Sequence, residues 1–144
     1  MSTKTTTTPK KRVSIAERVS KQRTLQNVET VSYTVDAKGR TLGRVASEAA
    51  SALLGKKSVH YVRNFVIPTQ VEIVNASKLV ISEKKMLQKE YDRYTGHPGG
   101  RRVQTLAMLK EKKGIEEVLR KAVDGMIPRN KLRKDRMKRL SISL

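Results

Sequence analysis

Two short segments, residues 31–35 and 71–75, alternate apolar and polar positions and are rich in β-branched side chains. This period of two predicts a strand for each segment. Between them, apolar residues recur at the spacing of one helix face, with Thr41 and Gly55 as caps at its two ends. The residues of this face are Leu42, Val45, Ala46, Ala49 and Leu53. The pattern therefore predicts a strand, a helix and a second strand in succession.

The second half of the chain carries two further helical patterns, which Lys112-Lys113-Gly114 separates and Pro128 ends. Their apolar positions are Leu106, Met108 and Leu109 in the first, and Ile115, Val118, Leu119, Ala122 and Val123 in the second. The pattern over residues 131–140 predicts a basic helix, and residues 59–62 and 141–144 read as short strands. Strands separated by helices indicate an α/β fold with a small, mostly parallel sheet.

The first thirty residues differ from the rest, because they are rich in threonine and cations and lack an apolar pattern. Such a segment buries too little surface to fold alone. We therefore expect a flexible basic extension over residues 1–30 and a single globular domain over residues 31–144. Lys10, Lys11 and Arg12 form a basic cluster in the extension and are candidates for contact with the phosphates of RNA.

The charge of the chain indicates that this domain needs an anionic partner. The 144 residues include 32 Lys and Arg against 13 Asp and Glu, which gives a formal charge of +19 and a pI near 10.6. Self-repulsion of this size destabilises a compact chain unless a polyanion neutralises it. Nucleic acid is the expected polyanion, and an anionic membrane or an acidic protein is the alternative. No apolar run approaches the roughly 20 residues that a membrane span needs.

The chain offers little for an enzyme or a metal site. It has no cysteine, and its two histidines, His60 and His97, lack companion ligands at metal-binding spacing. Its carboxylates mostly adjoin Lys or Arg, as in Lys89-Glu90 and Asp92-Arg93, which is typical of solvated ion pairs. We therefore predict no catalytic residue, no metal, no cofactor and no small-molecule substrate.

A glycine-containing turn before the first helix is the feature that favours a nucleotide-binding enzyme. Gly39 and Gly43 match neither of the standard phosphate-binding fingerprints, and Gly55-Lys56-Lys57 follows a helix instead of starting one. We therefore expect this turn to contact a phosphate of the RNA backbone and not of a nucleotide, with Arg40 and Arg44 on either side of the helix N-terminus.

Two basic stretches are predicted to bind RNA. Residues 84–102 mix cations with two tyrosines and a histidine, and contain the turn signal His97-Pro98-Gly99-Gly100. Cations can pair with phosphates while an aromatic ring stacks on an exposed base. A charged hairpin whose tyrosines only pack is the alternative. Residues 129–139 carry seven cations and one acid, so a helix there would be basic on most of its circumference.

Several strings of residues are specific enough together to indicate a family. They are Asp36-Ala-Lys-Gly-Arg-Thr-Leu-Gly-Arg-Val-Ala-Ser47, Leu54-Gly-Lys56, Val71-Glu-Ile-Val-Asn-Ala76, Lys85 to Tyr91, His97-Pro-Gly-Gly100 and Ala122-Val-Asp-Gly-Met-Ile-Pro-Arg-Asn130. Over residues 32–144 the chain resembles the large-subunit ribosomal protein L-thirteen family, in its bacterial or organellar form. The resemblance implies a three-layer α/β fold around a small parallel sheet, binding of large-subunit rRNA and an early structural role in subunit assembly.

The resemblance implies RNA contacts for one set of residues, which are Arg40, Arg44, Lys56, Lys84, Lys85, Lys89, Tyr91, His97, Arg101 and Asn130. Charge and position add a second set, which are Lys10, Lys11, Arg12, Lys57, Arg93, Arg102, Arg129, Lys131 and Arg133. The chain departs from the family's pattern in three places. Tyr33 replaces a tryptophan, Pro68-Thr-Gln70 replaces a Gly-Asp turn, and the basic extension is longer than expected.

We therefore predict a structural constituent of the large ribosomal subunit that binds its rRNA, helps its early assembly and supports translation. The expected partners are large-subunit rRNA and neighbouring ribosomal proteins, with no membrane partner. The expected location is the ribosome of the cytoplasm, or an organellar ribosome. The alternatives are a Rossmann-like nucleotide-binding enzyme and a basic protein that regulates messenger RNA away from the ribosome.

Overall fold

A computed structural model describes residues 30–144, which contain a parallel sheet, a separate hairpin, four α-helices and one short 3-10 helix. The elements are β1 (Val31–Asp36), α1 (Leu42–Leu53), β2 (Thr69–Val74), α2 (Glu83–Gln88), β3 (Glu90–Tyr94), β4 (Arg101–Thr105), α3 (Leu106–Met126), α4 (Arg133–Met137) and β5 (Leu140–Ile142). The predicted extension, with Lys10, Lys11 and Arg12, lies outside the described residues.

The sheet has the order β1-β2-β5, and all its pairings are parallel. Val35 pairs with Ile73, and Val71 pairs with Leu140, so the apolar residues of the three strands share one face and are buried there. The opposite face carries exposed polar residues such as Glu72. The sheet is therefore the outer layer of residues 30–144, which explains the period-two pattern of its strands.

Helix α1 is buried on most of its surface because it contacts β1 and β2 on one side and α3 on another. Its buried residues are Leu42, Val45, Ala46, Ala49, Ala50, Ala52 and Leu53. The alanines remove bulk, so that the neighbouring elements approach closely. Sheet, α1 and α3 form three successive layers, and the predicted α/β fold with a mostly parallel sheet is confirmed.

Helix α3 is broken at Gly114, whose φ of +80° and ψ of 177° are not helical. A left-handed φ favours glycine because a Cβ atom would crowd the backbone there. Residues 106–113 and 115–126 are thus two helical segments in sequence, as the apolar spacing predicted. Val118, Leu119 and Val123 of the second segment are fully buried in the core.

Two sequence predictions about secondary structure are wrong in part. Residues 59–62 form turns and not a strand, and Val59 is 99% exposed. None of the strand pairings found among residues 30–144 involves this segment, and the Tyr61 N–H donates instead to the Ser58 carbonyl at 3.3 Å. The basic helix predicted over residues 131–140 is only the short α4, although the strand that follows it is confirmed as β5.

None of the helices within residues 30–144 is both long enough and apolar enough to cross a bilayer.

Candidate nucleic-acid interface

Strands β3 and β4 form an antiparallel hairpin whose turn lies where the sequence predicted it. The Gly100 N–H donates to the His97 carbonyl at 2.9 Å, which closes the turn. A Cβ atom at Gly100 would lie only 2.9 Å from that same carbonyl oxygen and would also collide with the Thr95 side chain. Only glycine allows this close approach. The turn is therefore tight, and the two basic strands stay in register.

The hairpin is fixed against α3, because β4 runs directly into that helix. The Thr105 hydroxyl accepts a hydrogen bond from the Met108 N–H at 3.4 Å and so caps the first turn. The Leu106 N–H donates to the Lys89 carbonyl at 2.8 Å and ties the start of the helix to the start of β3. These bonds hold the hairpin and α3 as the two walls of a cleft.

This cleft, which we call the hairpin cleft, has a volume of about 350 Å³. Tyr91, Arg93 and Arg102 line it from the hairpin, and Lys112, Lys113 and Lys121 line it from α3. Arg93 pairs with Arg102 in the strand register, so their backbones lie directly opposite each other. The cleft therefore gathers five cations that come from separate parts of the sequence.

Tyr91 is half-buried in the hairpin cleft, and two ammonium groups lie near its ring. The Nζ of Lys121 lies 4.8 Å from the centre of its ring, and the Nζ of Lys89 lies 5.6 Å away. Both distances are within the range of cation–π attraction, which holds the amines over the ring. Burial raises the pKa of the Tyr91 phenol, so the hydroxyl stays protonated and can donate a hydrogen bond.

The positive charge of the hairpin cleft is not neutralised within residues 30–144. No carboxylate there lies within ion-pairing distance of the five cations that line the cleft. The one acid in its lining, Asp92, pairs with Arg101 at 3.0 Å. A concave surface of one sign concentrates the field and attracts an anion.

A second cationic surface, beside the start of α1, is partly neutralised. Arg40 Nη2 lies 2.7 Å from one Glu48 carboxylate oxygen, and Lys57 Nζ lies 3.3 Å from the other. The hydrogen bond from Arg40, with that from Lys57, holds the pKa of Glu48 below its ordinary value, even though burial opposes this. Arg44 and Lys56 are exposed beside this group and have no carboxylate partner among the described residues.

Of the two glycines near the start of α1, Gly39 has a structural role in the turn and Gly43 lies in the helix. Gly39 has a φ of +66°, and its N–H donates to the Lys78 carbonyl at 3.1 Å, so the turn is closed by the chain itself. Gly43 lies inside α1, and a Cβ atom there would meet nothing within 4 Å. A dinucleotide fingerprint needs glycine where backbone approaches phosphate or strand, and Gly43 has no such close approach to any other residue in the range 30–144.

The basic segment before β5 is divided between structural and exposed cations. Arg136 is buried, and its Nη2 donates to the Phe65 carbonyl at 3.3 Å, while Arg139 donates to the Ile67 carbonyl. These two arginines hold the loop that leads into β2. The sequence predicted a helix with cations exposed on most of its circumference, and this is wrong for Arg136, which is buried. A count of charged residues cannot distinguish a buried guanidinium from an exposed one.

The other predicted RNA-contact residues lie on exposed positions around these surfaces. Lys84 and Lys85 are exposed on α2, and His97 is exposed in the hairpin turn. Arg129, Asn130 and Lys131 are exposed after α3, whereas Arg133 pairs with Asp124 at 3.1 Å. Their assignment as RNA contacts stays a prediction.

The sequence reasoning missed the three lysines that α3 contributes to the hairpin cleft, Lys112, Lys113 and Lys121. The first two were interpreted only as the break between two helices. A cation pair next to a helix break is a signal that could have identified them, because such a break exposes both side chains. Lys121 carries no such signal. In the described part of the chain, no group of three or more His, Asp or Glu side chains is placed to hold a metal ion.

Comparison with known proteins identifies the family of this chain. The family model described as ribosomal protein L13 matches residues 30–143. The large ribosomal subunit protein uL13 of Persephonella marina is 42% identical over 110 residues, which cover 76% of this chain and 73% of that protein. The protein of the same name from Gloeothece citriformis is 38% identical over 122 residues, which cover 83% and 80%. That of Geobacter sulfurreducens is 43% identical over 110 residues, which cover 76% of each. The chain belongs to the ribosomal protein L13 family.

Proposed function

We propose that the chain is a structural constituent of the large ribosomal subunit, binds large-subunit rRNA through its cationic surfaces and helps the early assembly of the subunit. The observation that carries the proposal is the hairpin cleft, in which five cations have no carboxylate partner among residues 30–144. Phosphate backbone is the ligand that neutralises such a surface. The formal charge of +19 adds long-range attraction to the same ligand.

Family membership supports the ribosomal part of this proposal. Ribosomal protein L13 is a structural and not an enzymatic component of the ribosome, which argues against the nucleotide-binding enzyme as an alternative. It also gives the location of the protein as the ribosome. The partners that follow are large-subunit rRNA and neighbouring ribosomal proteins.

Among the predicted contact residues, the proposal rests most on cations that are exposed and lack an ion pair within residues 30–144. These are Arg44, Lys56, Lys84, Lys85, Lys89, Arg93, Arg102, Arg129 and Lys131. Arg40, Lys57, Arg101 and Arg133 would first have to leave a carboxylate before they could pair with phosphate. We also propose that residues 1–30 form a basic extension to a single domain of residues 31–144.

Sedimentation of cell lysate tests the proposed function directly. We expect the protein to migrate with large subunits and to remain there after a high-salt wash, because many phosphate contacts dissociate together only slowly. Cells depleted of the protein should accumulate incomplete large subunits, since an early constituent is needed before later ones bind. Release into the free protein fraction at low salt, together with normal subunits after depletion, would contradict the proposal.

A further inference from the structure

The segment that joins α1 to β2, residues 54–68, forms no helix or strand in the described part of the chain. Irregular loops longer than about 12 to 15 residues are uncommon in compact domains, and many of them carry a function. The base of this loop is closed, because a Cβ atom at Gly55 would lie only 2.8 Å from Cδ1 of Ile67. Two ends in contact are typical of a compact surface loop, or Ω-loop. We call residues 55–67 the Ω-loop.

Two arginines from the end of the chain fix the second half of the Ω-loop. Arg136 is buried and donates to the Phe65 carbonyl at 3.3 Å, and Arg139 donates to the Ile67 carbonyl. Ile67 is itself buried. The base of the loop is therefore held on the core, while the residues at its tip remain at the surface.

The tip of the Ω-loop presents rings and a cation to solvent. His60, Tyr61 and Arg63 are all exposed, and Val59 beside them is exposed as well. Arg63 has no carboxylate partner among residues 30–144. The sequence contains no Asp or Glu anywhere in residues 49–71. A polyanion that approaches the tip therefore meets no acidic residue of the loop itself.

Unpaired RNA matches both parts of this chemistry. Its phosphates pair with cations, and its exposed bases stack on the rings of tyrosine and histidine. An acidic protein surface would neutralise the cations of the loop, but its carboxylates give the two rings nothing on which to stack. The combination of exposed rings with an acid-free basic segment therefore favours RNA over an acidic protein.

We infer that the Ω-loop is a second RNA contact, with an unpaired base stacked on the Tyr61 ring and phosphates at Lys56 and Arg63. Arg136 and Arg139 are positioning residues, because they hold the loop and do not themselves reach the RNA. This inference rests on the proposed function and adds a surface whose residues are absent from the lining of the hairpin cleft.

Ultraviolet crosslinking of purified large subunits tests the inference on the natural protein. Irradiation joins side chains covalently to the bases that they touch. Trypsin cleaves after Lys57 and Arg63, so it releases residues 58–63 as one peptide that contains both His60 and Tyr61. We expect this peptide to carry the added mass of a nucleotide. An unmodified peptide, in subunits where other peptides of the chain carry nucleotides, would overturn the inference and leave a protein contact as the alternative.

Four variants of the full chain separate the ring from the charge. Tyr61→Ser removes the ring, and Tyr61→Phe keeps it as the matched control. Arg63→Gln removes one cation of the Ω-loop. Its matched control is Lys78→Gln, because Lys78 is exposed outside the loop and has no carboxylate partner among residues 30–144. Unfolding in urea checks that all four variants are folded.

Binding to large-subunit rRNA is measured over a range of salt. We expect Tyr61→Ser to bind about tenfold more weakly, which is the size of one base stacked on an aromatic ring, and Tyr61→Phe to bind like the natural protein. Arg63→Gln should lower the slope of log affinity against log salt by about 0.7, whereas Lys78→Gln should leave it unchanged. No loss of affinity in Tyr61→Ser, or an equal loss in Tyr61→Phe, would overturn the inference.

Failure of the inference and failure of the proposed function give different results. If the Ω-loop makes no RNA contact, the natural protein still sediments with large subunits, and only the peptide and the loop variants give negative results. Loss of that sedimentation is a separate outcome, which refutes the proposed function and with it the inference.

Discussion

Free and ion-paired cations should contribute differently to RNA binding, and two double variants separate them. The first, Lys112→Gln with Lys113→Gln, removes two cations of the hairpin cleft that have no carboxylate partner within residues 30–144. The second, Arg40→Gln with Lys57→Gln, removes two cations that both bind Glu48. Each variant removes two positive charges from the formal +19, so net charge alone predicts the same effect.

The contacts in the structure predict different effects. Each phosphate that a cation neutralises contributes about 0.7 log units to the salt dependence of binding for a single strand and about 0.9 for a duplex. Loss of both cleft lysines should therefore lower the slope of log affinity against log salt by about 1.4 for single-stranded RNA. Loss of the Glu48 pair should change the slope little, since those cations already have an anionic partner.

The assay is equilibrium binding of the full chain to a large-subunit rRNA fragment over a series of salt concentrations. The natural protein supplies the reference slope, and unfolding in urea confirms that both variants are folded. Equal losses of slope in the two variants would refute the reasoning, because they would show that net charge decides affinity and that the hairpin cleft has no special part.

Three further outcomes follow from other parts of the chain. Gly55 has a φ of +78°, and a Cβ atom there would lie 2.8 Å from the end of the Ile67 side chain, whereas Gly39 has a φ of +66° and open space around it. Unfolding in urea should show that Gly39→Ala lowers the free energy of unfolding by about 1 to 2 kcal/mol, and that Gly55→Ala lowers it by about 0.5 to 1.5 kcal/mol more. Equal losses for the two variants would contradict the role of Ile67. Because the pKa of Glu48 is lowered, its ion pairs stabilise the fold at pH values above its ordinary pKa, and this stability is lost as the pH falls through the lowered pKa. Glu48→Gln should therefore lower the free energy of unfolding by roughly 0.2 to 1 kcal/mol at neutral pH and leave it unchanged at strongly acidic pH. A loss of the same size at every pH would count against this. Deletion of residues 1–30 should reduce the salt dependence of RNA binding and preserve cooperative unfolding, and an unchanged slope would mean that the extension is passive.

The regular elements could be predicted because each has one buried face. The period of two in β1 and β2, and the apolar face of α1, follow directly from burial on one side or between two layers. The interruption of α3 at Gly114 could also be predicted, since Lys112-Lys113-Gly114 interrupts the apolar pattern of the sequence. By contrast, residues 59–62 were wrongly predicted, because four residues with apolar side chains at Val59, Tyr61 and Val62 suit a strand and a turn equally well.

The candidate site could be predicted only in part. Tyr91, Arg93 and Arg102 lie in one basic stretch and were identified from it, but their cleft has a second wall that comes from α3. Lys121 is part of that wall because the hairpin packs against α3. This packing cannot be predicted from the residues next to Lys121 in the sequence. Arg136 shows a different limit of the sequence: it counted as one cation of the basic stretch 129–139, but it is buried and donates to the Phe65 carbonyl. Charge identifies the kind of ligand, whereas packing decides which cations can reach it.

The position of β5 in the sheet affects how the chain folds during synthesis. Val71 of β2 pairs with Leu140 of β5, so two residues far apart in sequence must meet before the sheet is complete. Until the ribosome has synthesised residues 140–142, one edge of β2 has unpaired backbone groups and can pair with another chain. The β3–β4 hairpin needs only local contacts and can form earlier. A nascent chain that stops before β5 is therefore expected to be prone to aggregation, even when most of its core residues are already present.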